Sequence, residues 1–221
     1  MAFDKVWEKI FSENEWGKYP PEELIRFVAK HYYSVNDRSK IKFLETGCGP
    51  GANMWYLARE KFSIYGIDGS SSAIANCNSR LNKEVPNWEG NIAVGDIISL
   101  PYDNDYFDAF IDIECLSCNT LQNSKLVLNE VFRTLKKGSF IFSKSFSVDS
   151  WGYNTGRKVE KNTFFCSDGP TKEKGLCRFM TEKDIYELYG NLFKNILIDK
   201  VSRTTNNMEN TIIEWIIQAE K

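Results

Sequence analysis

Residues 41–53, IKFLETGCGPGAN, hold the chain's clearest chemical spacing. A short apolar run (Ile41, Phe43, Leu44) ends in Glu45, and Gly47, Gly49 and Gly51 follow at alternate positions. Good helix formers occupy 52–61. Strand, tight glycine turn and helix together bring bare backbone up to a ligand at the carboxyl edge of a parallel sheet. Glycine is required there because a Cβ would block both positive φ angles and the ligand's approach. Two acids follow at useful places. Asp68 closes a second apolar run, SIYGID, where a carboxylate can accept both hydroxyls of a ribose. Asp96 closes a third run inside VGD, ahead of Ile97, Ile98 and LPYDNDYFD.

The elements that must position these groups alternate along the chain. Phe3, Val6, Trp7, Ile10 and Phe11 recur at helical spacing, which predicts an amphipathic helix over 2–12. Pro20-Pro21 starts a second, with Leu24, Ile25, Val28 and Tyr32 on one side. Strands are predicted at 40–46, 63–68, 91–94, 106–113 and 139–146. Ser70–Ser72 cap the helix through Leu81. Ser124 opens another, with Lys136 and Lys137 at its negative end and Gly138 as its stop. Thr181, with Asp184 three residues on, caps a later helix. Two β-rich runs, 195–203 and 211–218, joined by the polar TTNNMEN, read as a closing hairpin. The class is therefore α/β: a Rossmann-like doubly wound sheet of seven strands, mostly parallel, with an antiparallel strand from the hairpin. Residues 147–180 show no regular pattern and read as a functional insertion or lid.

Size and composition narrow the function. The 221 residues suit one domain spanning 1–221, with 1–35 as an N-terminal helical lid. A net charge of -2 gives no electrostatic case for nucleic acid. The opening MAFDKVWEKIF places acids inside an amphipathic pattern, unlike a signal peptide or a membrane span, so a soluble cytoplasmic protein is expected, as monomer or homodimer. Six cysteines (48, 77, 115, 118, 166, 177) sit among apolar neighbours and are expected as free thiols. Cys115 and Cys118 form a CxxC, but the other half of a zinc site is missing. Cys166 and Cys177 lie too far apart, and His31, read as a surface residue, is the sole histidine. No metal is expected.

Glycine loop, Asp68, the VGD acid and LP…D…FD together resemble the class I S-adenosylmethionine-dependent methyltransferases, over about 41–146. The stretch LPYDNDYFDAFIDIECLSCN resembles the ubiquinone-biosynthesis type of small-molecule enzyme. Trp16 to Pro20 and Gly51 to Trp55 resemble bacterial methyltransferases of surface-sugar biosynthesis, which suggests a free or nucleotide-linked sugar acceptor. The resemblance implies that Gly47, Gly49 and nearby backbone hold the methionine end of the cofactor, with Glu45 supporting the turn and the ammonium. It gives the ribose hydroxyls to Asp68, the adenine face to Gly69 and the adenine amino group to Asp96, with Ile97 backbone on the ring nitrogen. Cys48, Gly51, Asn53 and Ser70 complete that set, and Ile113 with Glu114 would face the sulfonium. Many such sequences carry a histidine where this chain has Cys118, so a histidine base is excluded there. Glu114 is the candidate general base, with Asp112 second, since a spacing of two places both on one strand face.

Trp16 and Tyr19 are expected to fold over the cationic sulfonium. In 147–180, Trp151, Tyr153, Arg157 and Arg178 are expected to line the acceptor side, their basic excess suiting an anionic group. Two rivals stand beside this reading. Gly47, Gly49 and Ala52 also satisfy the dinucleotide pattern of a nicotinamide oxidoreductase, against which stand VGD, the closing hairpin and the lack of a placed Tyr-x-x-x-Lys. A non-catalytic binding module is the other, and the intact glycines and acids argue against it.

Overall fold

The structure, a computed structural model, describes residues 3–221. Six helices and ten strands run in the order α1 (Lys5–Glu13), α2 (Glu22–Tyr32), β1 (Lys42–Thr46), α3 (Ala52–Arg59), β2 (Ser63–Asp68), α4 (Ser71–Glu84), β3 (Gly90–Val94), β4 (Phe107–Ile113), α5 (Leu121–Thr134), β5 (Leu135–Phe146), β6 (Arg157–Glu160), β7 (Thr163–Phe165), β8 (Leu176–Arg178), α6 (Glu182–Tyr189), β9 (Lys194–Thr205) and β10 (Asn210–Glu220). Seven strands form one sheet in the order β3-β2-β1-β4-β5-β10-β9. Only β10 runs against the rest, pairing antiparallel with both β5 and β9.

Period-two alternation sorts the core. Phe43, Ala109, Ile111, Phe142 and Ile216 join α2, α3 and α4 in one cluster. Their neighbours Leu44, Phe110, Ile141, Trp215 and Ile217 join α5 and α6 on the other face. Strands covered on both faces must be apolar at nearly every position, which explains the unbroken runs in the sequence.

Several expectations need correction. The helix predicted over 2–12 begins at Lys5, where Asp4 accepts from the Val6 N–H, and its first predicted residue lies outside the described ones. Ile25 is exposed; Phe27 takes its place on the buried face of α2. α5 starts at Leu121 behind a Thr120 cap, whereas Ser124 is buried within its first turn. Lys136, Lys137 and Gly138 belong to β5, where the register against β4 shifts, so Gly138 serves a bulge and does not stop the helix. His31 is half-buried against Phe140.

The stretch 147–180 is not a structureless insertion. β6, β7 and β8 form a small antiparallel sheet. Phe164, Cys166, Cys177 and Phe179 pack from it onto Phe146 and Ile212 of the large sheet. Strands of three or four residues are too short to show alternation, so the sequence conceals them.

Candidate functional site

In the strand order, β1 and β4 are neighbours whose connections leave in opposite directions, and a crevice opens above their carboxyl ends. A cavity of about 370 Å³ lies there. Its floor is the glycine turn. Gly47 donates to the Ile67 carbonyl at 2.7 Å and has φ +65, and a Cβ on it would collide with Cys115 Sγ. Asp68 accepts from the Gly49 N–H at 2.9 Å and from the Ser70 N–H at 2.8 Å, so it ties the turn to the start of α4. Burial raises its carboxyl above the usual range, and those backbone donors oppose the rise.

Glu45, 2 % exposed, ends β1 beneath the turn. One oxygen accepts from Asn53 Nδ2 at 2.6 Å, while Glu45 Oε2 and Asn53 Oδ1 are buried without a partner. Burial pushes this carboxyl well above its usual value. Two unsatisfied acceptors in a cavity wall call for a ligand that donates, best a cation.

α1 roofs the cavity. Phe11 reaches Gly49, whose added Cβ would lie 3.5 Å from its Cζ, and Phe3 lies directly against Gly69. Glu8 fastens the helix by accepting from Ser70 Oγ (2.5 Å) and Ser72 Oγ (2.6 Å). Trp16 packs edge-on against Trp7 and Phe11, and Tyr19 against Trp55. Both Trp16 and Tyr19 line the cavity, together with Phe3, Trp7 and Phe11. Those last three carry roles that the amphipathic pattern of α1 announced only as packing.

Glu114, Asn119, Phe146, Thr171 and Arg203 also line the cavity, as does Lys174, whose Nζ stands 5.2 Å over the Trp16 ring. Glu114 has φ +66, a strained conformation for a residue other than glycine. That twist ends strand alternation at Ile113, so Asp112 and Glu114 do not share a face. Asp112 is fully buried, accepts from the Leu116 N–H at 2.9 Å and Ser143 Oγ at 2.5 Å, and lies outside the cavity wall. Burial brings it up to about 6. Glu114 is pushed up to about 8, first by burial and next by Glu214 beside it, against the pull of Lys144 and Arg203.

The family description "Methyltransferase domain" matches residues 37–199. The chain belongs to that family. This methyltransferase domain is 31% identical over 124 residues to a fatty-acid O-methyltransferase of Mycolicibacterium smegmatis, covering 54% of this chain and 43% of that one. It is 21% identical over 212 residues to a tRNA N(3)-methylcytidine methyltransferase of Schizosaccharomyces pombe, covering 87% and 65%. The chain thus spans less than two-thirds of either relative. A crystallised S-adenosylmethionine-dependent methyltransferase of Methanosarcina mazei shares the fold, with TM-score 0.72 and 23% identity over 87% of this chain and 96% of that one.

Of the residues expected in the methyltransferase site, Glu45, Gly47, Cys48, Gly49, Asn53, Asp68, Gly69, Ile97, Ile113, Glu114, Trp16 and Tyr19 line the cavity. Gly51, Ser70 and Asp96 are not among the residues lining it. Gly51 caps α3 in the left-handed region, Ser70 caps α4, and Asp96 accepts from the Ile98 N–H at 3.3 Å. The four expected on the acceptor side lie elsewhere. Trp151 donates to Asp168, Tyr153 to Asn162, and Arg157 stacks on Phe165. Arg178 is 3 % exposed and donates to the Leu116 and Asn119 carbonyls and to Ser124 Oγ, staking the loop after β4 in place. The basic groups that do reach the cavity are Lys174 and Arg203.

All six cysteines are free thiols. Burial raises the Cys115 and Cys118 thiols, so the CxxC is a pair of packed side chains. Among the described residues no group of three or more His, Cys, Asp or Glu could hold a metal ion, and no helix is long and apolar enough to cross a membrane.

Proposed function

We propose that this domain transfers a methyl group from S-adenosylmethionine to an oxygen or nitrogen of a small-molecule acceptor, with a sugar or sugar derivative as the leading class. The observation that carries the reading is the orphaned pair of acceptors, Glu45 Oε2 and Asn53 Oδ1, beside a glycine turn pinned by Asp68. An ammonium group satisfies both atoms and neutralises a carboxylate that burial alone disfavours. Asp68 retains lone pairs for ribose hydroxyls, and Gly69 borders the cavity with the Phe3 ring packed on it.

When bound, the donor supplies a methyl group already activated on a positively charged sulfur. The chain's task is then mainly alignment, which can contribute roughly 7–11 kcal/mol. Trp16 and Tyr19 shield the cavity with aromatic faces. Glu114 takes the proton from a hydroxyl or a protonated amine, a contribution of about 10²- to 10⁴-fold. Lys174 and Arg203 hold an anionic group on the acceptor, the role the sequence had given to Arg157 and Arg178.

The relative named for fatty acids supports an oxygen acceptor. The relative named for tRNA raises a nucleic acid instead, but a net charge of -2 offers no basic face to a phosphate backbone. A nicotinamide dinucleotide would bring its anionic pyrophosphate against Glu45, which repels it. Cytoplasmic location and a monomer or homodimer complete the proposal. Calorimetry with S-adenosylmethionine and S-adenosylhomocysteine tests the donor site, and labelled donor incubated with a metabolite extract tests transfer. No affinity for either compound refutes the reading. Affinity without a labelled product in any extract favours a regulatory module.

A further inference from the structure

Behind Glu114 lies an arrangement that the sequence does not announce. Glu214 stands in the middle of β10, an acid inside the apolar run TIIEWII, and it is 0 % exposed. Lys144 of β5 reaches its Oε2 at 2.9 Å, and Arg203 of β9 reaches the same oxygen. Both cations therefore converge on one oxygen. The other, Oε1, is buried with no partner among the ordinary donors. The Glu114 carboxyl stands beside Glu214, and two carboxyls can share a hydrogen bond only if one of them brings a proton.

Each member comes from a different element at the same sheet edge. Glu114 follows β4, its N–H bound to the Lys144 carbonyl at 2.9 Å, and its left-handed backbone turns the carboxyl toward the cavity. Lys144 is 8 % exposed, whereas Arg203 is half exposed and lines the cavity. Cys118, a neutral thiol, also faces Glu114 from the loop after β4.

We propose that Glu114 and Glu214 form an acid–carboxylate pair that shares one proton, with Glu214 as the positioning residue that keeps Glu114 basic and Arg203 as the half-exposed cation that balances the pair. The inference rests on the methyl-transfer reading for its use. With the shared proton lost, the pair accepts the acceptor's proton as the new O–CH₃ or N–CH₃ bond forms and the S–CH₃ bond breaks, its electron pair staying on sulfur. The proton then leaves to solvent past Arg203. A second carboxylate is the device that gives the first enough basicity to serve a weakly acidic hydroxyl. Because like charges hold the proton jointly, the pair titrates as a unit.

The test needs no acceptor. Infrared titration of the ligand-free protein follows the protonated-carboxyl band, with Glu114→Gln as the reference that isolates this proton. Wild type minus reference should lose one band with a midpoint at about 8. Glu214→Gln removes the neighbouring charge and should lower that midpoint by at least about one pH unit. Arg203→Gln, at a half-exposed position that does not threaten folding, should raise it. No such band in wild type overturns the pairing, as does a midpoint left unchanged by Arg203→Gln or by a folded Glu214→Gln protein. In a second arm, S-adenosylmethionine added near neutral pH should discharge the band and S-adenosylhomocysteine should not. Failure to bind either compound, with the titration intact, fails the donor reading and leaves the pair standing.

Discussion

Glu45→Gln separates folding from function most sharply. The carboxylate is 2 % exposed, keeps a 2.6 Å bond from Asn53, and leaves Oε2 without a partner. In the ligand-free protein this charge is a burden, which is why burial drives the group toward its neutral form. An amide keeps an acceptor for Asn53 and removes the charge, so the ligand-free melting temperature at pH 8 should rise or hold. Binding should suffer in the opposite sense. The substitution takes away a charge-assisted hydrogen bond of about 1.5–3 kcal/mol and places a donor where the ligand's ammonium must sit. The expected loss is roughly 10- to 150-fold in affinity. Titrating tryptophan fluorescence with S-adenosylhomocysteine measures it without any acceptor. A dissociation constant within about twofold of wild type, or a clear fall in melting temperature, would refute the assignment of Glu45 to the ammonium.

Other substitutions read separate parts of the site. Gly47→Ala combines a left-handed φ with a collision against Cys115 Sγ, so it should destabilise the protein by more than about 1 kcal/mol and weaken cofactor binding, seen in denaturant melts and calorimetry. Glu8→Ala releases α1 from Ser70 and Ser72, and should speed cofactor dissociation in stopped-flow while leaving the melting temperature nearly unchanged. Arg178→Met strands the Leu116 and Asn119 carbonyls and should cost about 2–4 kcal/mol of stability. Lys174→Ala should leave stability alone and raise acceptor KM more than cofactor Kd, whereas Arg157→Ala should change neither.

How far the sequence reached follows from where each signal resides. β2 runs over Ser63–Asp68, the span its apolar residues and terminal acid predict, and Thr181 with Asp184 makes the reciprocal cap that their spacing implies. These are local signals, carried by adjacent residues. The glycine turn was equally legible, because Gly47, Gly49 and Gly51 each take a positive φ that glycine adopts most readily. Features made in three dimensions were not. Arg178 reads as an acceptor-side cation until β8 tucks it under the loop after β4. Asp112 and Glu114 read as partners until one left-handed φ, on a residue type that gives no warning, turns them apart. Glu214 drew no notice within the hairpin run 211–218, because its counterpart Glu114 lies a hundred residues away in sequence.

The carboxyls gathered at this sheet edge also fix how stability depends on pH. Glu45, Asp68, Asp112 and Glu114 all have folded values raised by burial, Asp112 to about 6 and Glu114 to about 8. An acid raised on folding binds its proton more tightly in the native state. Its stabilisation is complete below the unfolded value and is lost as pH rises through the folded one. For Asp112 the difference amounts to about 3 kcal/mol, most of it gone by neutral pH. The ligand-free protein should therefore melt at a lower temperature at pH 8 than at pH 5. Carboxyls held low by partners, such as Asp184 at about 2, act in the other direction below that window, while Cys166, lowered to about 6 by its Cys177 partner, and His31, lowered by burial, oppose the decline within it but are outnumbered by the raised carboxyls. A bound cation should relieve the charged edge, so S-adenosylmethionine should flatten the decline more than neutral-sulfur S-adenosylhomocysteine does. Differential scanning fluorimetry at the two pH values, with and without each compound, makes the comparison. A ligand-free melting temperature equal or higher at pH 8 would show that these carboxyls are not the strained groups their burial requires them to be.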